Sequence, residues 1–418
     1  MTIHQAGRRA IVAAGIKLPN QADNRKAGRL VGNALDTLTG LSKEDRDELF
    51  APLIKLMRFV RVGLIDIKDR WAVAETMDLQ DIDVPIDIAM QLLPGMMEAC
   101  TKEVRAGIID FDDMIWAPNA LNFAPQKFLW LFVDEAQDLS PASRELVLKM
   151  IDPRGGRALF VGDPQQAIMA FAGASNNSVD LIVERTGATK LPLSVCYRCP
   201  ASHIALAQEL VPHIQAAPGA SEGVIGHISE QQVVSMAREG DLIMCRVTKH
   251  LISLVYEFIE AGIPARVLGR EIGDNLVAQV KKVVKATKCG VDDFLEAQDG
   301  WVSGQVAKLV QVEGNESKAE SLKDKASCLS SIIRSTRPAS VDQLIVEINA
   351  LFSNERASVT LCTIHKAKGL EADRTFILHP ELLPHPMAKT IESKQQEIHL
   401  EYVAKTRAKQ EMYFVISE

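Results

Sequence analysis

The run Leu129-Trp130-Leu131-Phe132-Val133 stops at Asp134-Glu135, and the chain continues Ala136-Gln137-Asp138. A short apolar run that meets an acidic pair reads as a buried parallel strand with carboxylates at its carboxyl end. In open α/β sheets ligands bind at that edge. The same grammar recurs downstream. Ala158-Leu159-Phe160-Val161 predicts a second buried strand, followed by Gly162-Asp163 and a polar loop. Two acid-tipped strands at one sheet edge make a candidate site for a nucleotide and a metal ion, and a helix over residues 141–150 between them completes a βαβ unit.

Working outward, residues 17–106 carry apolar residues mostly at helical spacing and predict a helical segment, with Pro85 placed to open a helix and Pro94 to end or kink one. Residues 241–246 predict a strand, followed by a helix over 249–261 and a turn then strand over 262–268. Residues 219–226 read as a turn-rich connection. Residues 271–356 are lysine-rich and predict a second helical segment, in which Lys281, Lys282 and Lys285 suit a solvated face. The α/β pattern returns over residues 357–363, followed by a last helix over 395–407 and a short strand over 412–416.

Composition narrows the class. The chain has 418 residues, 47% hydrophobic and 24% charged, enough for two or three domains with substantial cores. A net charge of −7 does not advertise a nucleic-acid partner, although a basic groove can sit on an acidic protein. No apolar run approaches the roughly 20 residues needed to cross a bilayer, and the first residues lack the pattern of a signal peptide, so a cytoplasmic or nucleoid-associated protein is expected, with no membrane partner. Seven dispersed cysteines fit a reducing compartment. Cys196 and Cys199 form a lone CxxC, and without a second close pair a zinc or iron–sulfur site is disfavoured.

Five strings in order, VDEAQD (133–138), GDPQQAIMAFAGA (162–174), LSVCYRCP (193–200), TIHKAKGLE (363–371) and EYVAKTRAK (401–409), resemble those of the UvrD/Rep-type superfamily 1 DNA helicases. TIHQAG at 2–7 resembles that family's short DNA-contact motif, so the resemblance frames the chain from residue 2 to residue 409. It implies an α/β fold of two RecA-like parallel-sheet lobes that clamp ATP, each carrying a helical insertion. The first lobe, incomplete, would comprise residues 1–16 and 107–189, with residues 17–106 inserted. The second would comprise 190–270 and 357–418, with 271–356 inserted.

The resemblance also implies roles. Asp134 would hold Mg²⁺, and Glu135 would act as general base toward the hydrolytic water. Gln166 would sense the γ-phosphate. Arg198 and Arg407 would be arginine fingers, a task suited to a permanently charged planar fork. Tyr197, Gly369 and Glu371 would line the nucleotide. Thr2, His4, Phe171, Thr363, His365 and Lys366 would face DNA, Phe171 by stacking on a base. Met169 and Ala172 stand where the family more often carries an aromatic and a basic residue. The cofactors would be ATP and Mg²⁺, and the partners single-stranded DNA and duplex junctions, with 3′ to 5′ movement.

The large departure from the family pattern is an absence. No GxxxxGK[ST] string, whose amides and lysine hold phosphates, occurs in the 418 residues. In the family that loop precedes the TIHQAG-type motif, and a truncated sequence, a late start codon or a split motor with the loop on a second polypeptide would each account for its absence. Two readings stay open: an ATP-dependent DNA helicase or single-strand translocase, or an ATPase-deficient or split-motor DNA-binding subunit that takes its P-loop in trans.

Overall fold

The structure is a computed structural model that describes residues 1–80, 82–168, 177–310, 316–352, 358–386, 388 and 390–416. The chain divides into two compact units, Met1–Lys190 and Leu191–Glu418.

The first unit is mostly helical. Ile3–Ala13 opens it, and Lys26–Asp36, Lys43–Gly63, Arg70–Leu79 and Ile86–Arg105 follow. Lys43–Gly63 shows why these segments are helices. Ser42 caps it in a reciprocal box with Asp45, and Leu49, Leu53, Leu56, Met57 and Val60 recur along one buried stripe. That stripe packs with Leu92, Leu93 and Met96 of Ile86–Arg105 into one core. Pro85 sits at the N-cap of Ile86–Arg105, and the helix runs through Pro94. Beneath the core lies a buried ionic cluster. The Lys26 ammonium and the Arg61 guanidinium, both without solvent exposure, meet Asp113 at 2.6 and 2.9 Å, and Arg61 also holds Asp110 at 2.8 Å.

Two parallel strands, β1 (Trp130–Val133) and β2 (Arg157–Phe160), flank the helix Pro141–Met150, which Ser140 caps with Pro141 in its first turn. The strands are parallel, but the expectation that they are buried is corrected. Only the face carrying Leu131, Val133, Ala158 and Phe160 packs inward. On the other face Trp130 is 63% and Phe132 70% exposed, joined by Leu159 and Val161. Parallel sheets are normally covered on both faces, and here nothing among the described residues covers the second.

In the second unit β3 (Val195–Cys196) pairs with β4 (Gln215–Ala216). A separate six-stranded parallel sheet contains β5 (Val224–Ser229), β6 (Leu242–Cys245), β7 (Ala265–Leu268), β8 (Val359–Thr363), β9 (Ala372–Leu378) and β10 (Ala408–Ile416), in the order β5-β10-β9-β6-β8-β7. β6 is central and buried at all four residues, as expected for a strand covered on both faces. β5 corrects the reading of 219–226 as a connection alone, since a strand begins at Val224. Helix Thr248–Glu260 packs on β6, β7 and β8. Between β7 and β8 lie Arg270–Thr287, Phe294–Val310, Glu316–Thr336 and Val341–Leu351. Their Val280, Phe294, Leu329, Leu344 and Ile348 join Leu251, Val255 and Phe258 in one core. Lys281, Lys282 and Lys285 face solvent. No helix among the described residues is long and apolar enough to cross a membrane.

Candidate functional site

In the first unit the acids stand where the two strands end. Asp134 and Glu135 follow β1 directly, and both are exposed. Glu135 adopts φ 52°, a left-handed conformation that costs an ordinary side chain about 1 kcal/mol and is found at turns and functional sites. Its backbone N–H donates to Asp134 Oδ1 at 3.0 Å. Buried Gln137 then links the two strand ends. Its Nε2 donates to Glu135 Oε2 at 2.5 Å, and its Oε1 accepts the Asp163 N–H at 3.0 Å. Asp163 in turn accepts from Gln166 Nε2 at 2.9 Å and from the Gln165 N–H at 3.0 Å. Gly162 permits this link, because a Cβ there would lie 2.3 Å from Gln137 Oε1.

A continuous hydrogen-bonded path thus runs from Glu135 through Gln137 and Asp163 to Gln166. Both ends of this path are expected from the sequence, whereas Gln137 is not. The signal was present, since Gln137 lies inside DEAQD. The exposed carboxylate of Asp134, with one oxygen already fixed by the neighbouring amide, suits a hard cation that keeps much of its water. Phe171, with Met169 and Ala172, lies outside the described residues.

In the second unit two of the predicted residues, Arg198 and Glu371, form an ion pair. Arg198 Nε meets Glu371 Oε2 at 2.7 Å, and Lys409 Nζ meets Glu371 Oε1 at 2.5 Å. The hydrogen bond from Lys409, aided by the Arg198 charge, lowers the Glu371 pKa. Lys409 was not singled out in the sequence, although it ends the AKTRAK string. Arg407 is only 1% exposed and folds back into its own unit. Nη1 reaches the carbonyl of Leu370 at 3.3 Å, between Gly369 and Glu371, and Nη2 reaches Thr406 Oγ1 at 3.0 Å. Arg198 is therefore at the surface, whereas Arg407 supports the turn that carries Glu371. Tyr197 is 83% exposed beside Arg198.

The residues expected to face DNA divide between local structural contacts and a sheet-edge cavity. Thr2 caps helix Ile3–Ala13 in a reciprocal box with Gln5, so its hydroxyl is occupied by the backbone. His4 packs edge-on against the Phe111 ring with centroids 5.7 Å apart, and burial lowers its pKa. Thr363 ends β8 and opens the short helix Ile364–Ala367, on which Lys366 is exposed. Thr363 and His365 line a cavity of about 470 Å³ together with Arg246, Lys325, His385 and Glu397. Buried Glu397 grips Arg246 at 2.7 Å and accepts the His385 N–H at 2.9 Å. Burial, then the Arg246 charge, pushes the His365 pKa down to about 4. Arg246 and Glu397 lie 151 residues apart and carried no signal in the sequence reading.

Residues 67–184 match the UvrD/REP helicase N-terminal domain, and residues 270–418 match the UvrD-like helicase C-terminal domain. The chain belongs to the UvrD/Rep helicase family. Over 86 residues it is 35% identical to the ATP-dependent DNA helicase Rep of Buchnera aphidicola subsp. Acyrthosiphon pisum (strain APS) and 34% identical to that of Buchnera aphidicola subsp. Schizaphis graminum (strain Sg). Each match covers 19% of this chain and 13% of the relative.

Proposed function

We propose that this chain provides most of an ATP-dependent DNA motor, a helicase or single-strand translocase moving 3′ to 5′, built from two RecA-like lobes with helical insertions. The observation that carries this reading is the path from Glu135 through Gln137 and Asp163 to Gln166. It ties a carboxylate fit to accept a proton from water to a glutamine fit to report on a terminal phosphate. A change in bound nucleotide can therefore pass from one strand end to the other through the Gln137 side chain and the backbone amide and carboxylate of Asp163.

Each residue then has a task. Asp134 would hold Mg²⁺, which when bound neutralises phosphate charge. Glu135 would orient the attacking water and take its proton. Arg198 is exposed and charged, and leaving Glu371 for a phosphate would exchange one anion for another. Such an arginine contributes about 10³ to 10⁵ in rate in related phosphoryl-transfer sites. Arg407 would leave Leu370 and Thr406 to act in the same way. Glu371 and Gly369 would meet the nucleotide beside Tyr197. Thr363, His365 and Lys366 would contact the DNA backbone, with Thr2 and His4 as further contacts and Phe171 stacking on a base. Binding to single strands should be largely sequence-blind and strongly salt-dependent.

The outer face of β1 and β2 exposes Trp130, Phe132, Leu159 and Val161, and no GxxxxGK[ST] occurs in the 418 residues. Polypeptide that bears a P-loop would cover that face and complete the phosphate site. The test is phosphate release stimulated by single-stranded DNA, measured with the 418 residues alone and with a P-loop-bearing polypeptide added. Little turnover alone and recovery on addition are expected. Rapid turnover by the 418 residues alone would contradict this account of the phosphate site.

A further inference from the structure

The CxxC pair has no part in the function proposed above, and its geometry is specific. Cys196 ends β3, and Cys199 lies just before the helix Ala201–Gln208. The turn between them folds the chain over the Cys196 sulfur, which accepts hydrogen bonds from the Cys199 thiol and from the backbone N–H groups of Arg198 and Cys199. Cys199 is buried, and its Sγ also lies 3.5 Å from the carbonyl of Thr406. Cys196 is partly accessible. Among the other cysteines, Cys100, Cys245, Cys328 and Cys362 are buried, and Cys289 is partly accessible.

This arrangement separates the two sulfurs chemically. Donors aimed at Cys196 favour its thiolate, and the Cys199 hydrogen bond, with the backbone donors and the nearby Arg198 charge, lowers its pKa to about 5 against the cost of partial burial. The same hydrogen bond, together with burial, raises that of Cys199. Burial pushes Cys100, Cys245, Cys328 and Cys362 each up to about 12. Low pKa with access marks the attacking thiol of a pair.

We propose that Cys196 and Cys199 are a redox-active thiol pair, with Cys196 the attacking and Cys199 the resolving sulfur, whose oxidation tethers the turn carrying Tyr197 and Arg198. The oxidant is a low-molecular-weight disulfide. The Cys196 thiolate attacks one of its sulfurs, the S–S bond breaks, and one thiolate leaves and takes a proton. Cys199 gives its proton to solvent and attacks the Cys196 sulfur, releasing the second thiolate, which is protonated in turn. The protein loses two electrons and the one Cys199 proton, solvent supplies the second proton, and the small disulfide becomes two thiols. Closing the bond removes the Cys199 thiol hydrogen and repositions its sulfur, which lies 3.5 Å from the Thr406 carbonyl next to Arg407. It also draws the Tyr197–Arg198 turn into a small ring.

The test uses the 418-residue chain, iodoacetamide and glutathione disulfide, with peptide mass spectrometry. At pH 6.5 Cys196 should be alkylated at least about tenfold faster than Cys289. Glutathione disulfide should remove two hydrogen atoms from the peptide holding Cys196 and Cys199 and protect both from alkylation. Cys199→Ser should stop at a glutathione adduct on Cys196, and Cys196→Ser should form no adduct at Cys199. In the oxidised chain, trypsin should cleave after Arg198 several-fold more slowly than in the reduced chain. Alkylation of Cys196 no faster than Cys289, a lasting adduct in the unsubstituted protein, or equal cleavage in the two states would overturn the proposal. None of these readouts involves nucleotide or DNA, so failure of the motor reading would leave their outcome unchanged.

Discussion

Replacing Asp113 with Asn should destabilise the first unit by about 3 kcal/mol, the lower end of the range for breaking a buried ion pair. The geometry sets that figure. Asp113 Oδ2 accepts from Lys26 Nζ at 2.6 Å and from the Asp110 N–H at 2.9 Å, while Oδ1 meets Arg61 Nη1 at 2.9 Å and the Cys100 thiol at 3.2 Å. Arg61 keeps Asp110 and Asp112 as partners, so its loss is partial. Lys26 is fully buried and would keep only the carbonyls of Cys100 and Ile108, at 3.3 and 3.0 Å. Two carbonyl dipoles do not replace a carboxylate charge, so most of the cost falls on the stranded ammonium. The loss amounts to roughly two orders of magnitude in the folding equilibrium. Urea unfolding followed by circular dichroism reads it. Adding Lys26→Met to Asp113→Asn should recover at least about 1 kcal/mol, because no buried ammonium then remains. An Asp113→Asn variant within about 1 kcal/mol of the parent protein would refute the reasoning.

Other consequences are simpler. Burial lowers the pKa of His250 to about 4, as it does for His365. Each folded pKa lies below the unfolded value near 6.5, so between pH 6.5 and 4 the unfolded chain takes up protons that the folded chain refuses. Stability of the second unit should therefore fall as pH drops through that window. His365→Asn should flatten the slope in urea midpoints, and an unchanged slope would count against the burial of that ring. Thr2→Ala should cost about 1 kcal/mol through loss of the cap, whereas Thr2→Ser should cost little. Thermal unfolding separates the two, and equal losses would deny the capping role.

What the sequence disclosed was local. Val133 followed by Asp134, and the helix Pro141–Met150 behind Ser140, were legible because apolar runs, acids and caps act over a few residues. The edge strand β5 was hidden because Gly223 and Gly226 read as turn residues. In the sheet, Gly226 leaves room for the Tyr413 ring, whose nearest carbon a Cβ would approach to 2.7 Å. That requirement comes from β10, far along the chain, and no local pattern reveals it. The exposed side of β1 was hidden for a related reason. An apolar run implies a covered strand, and whether cover exists depends on other polypeptide. Arg246 with Glu397, and Lys26 with Asp113, pair across distances in sequence that periodicity does not span. Gln137 was visible as a letter in DEAQD, but its task depends on Gly162 admitting its side chain.

The central claim is that Glu135 takes the proton from the attacking water. Its most direct test is Glu135→Gln, measured by phosphate release stimulated by single-stranded DNA with the P-loop-bearing polypeptide present. The substitution keeps the shape, and the new amide oxygen can still accept the Gln137 hydrogen bond, but it removes the base. A loss of about 10² to 10⁴ in the hydrolysis rate with nucleotide binding retained is expected. Hydrolysis within about twofold of the parent protein would contradict it.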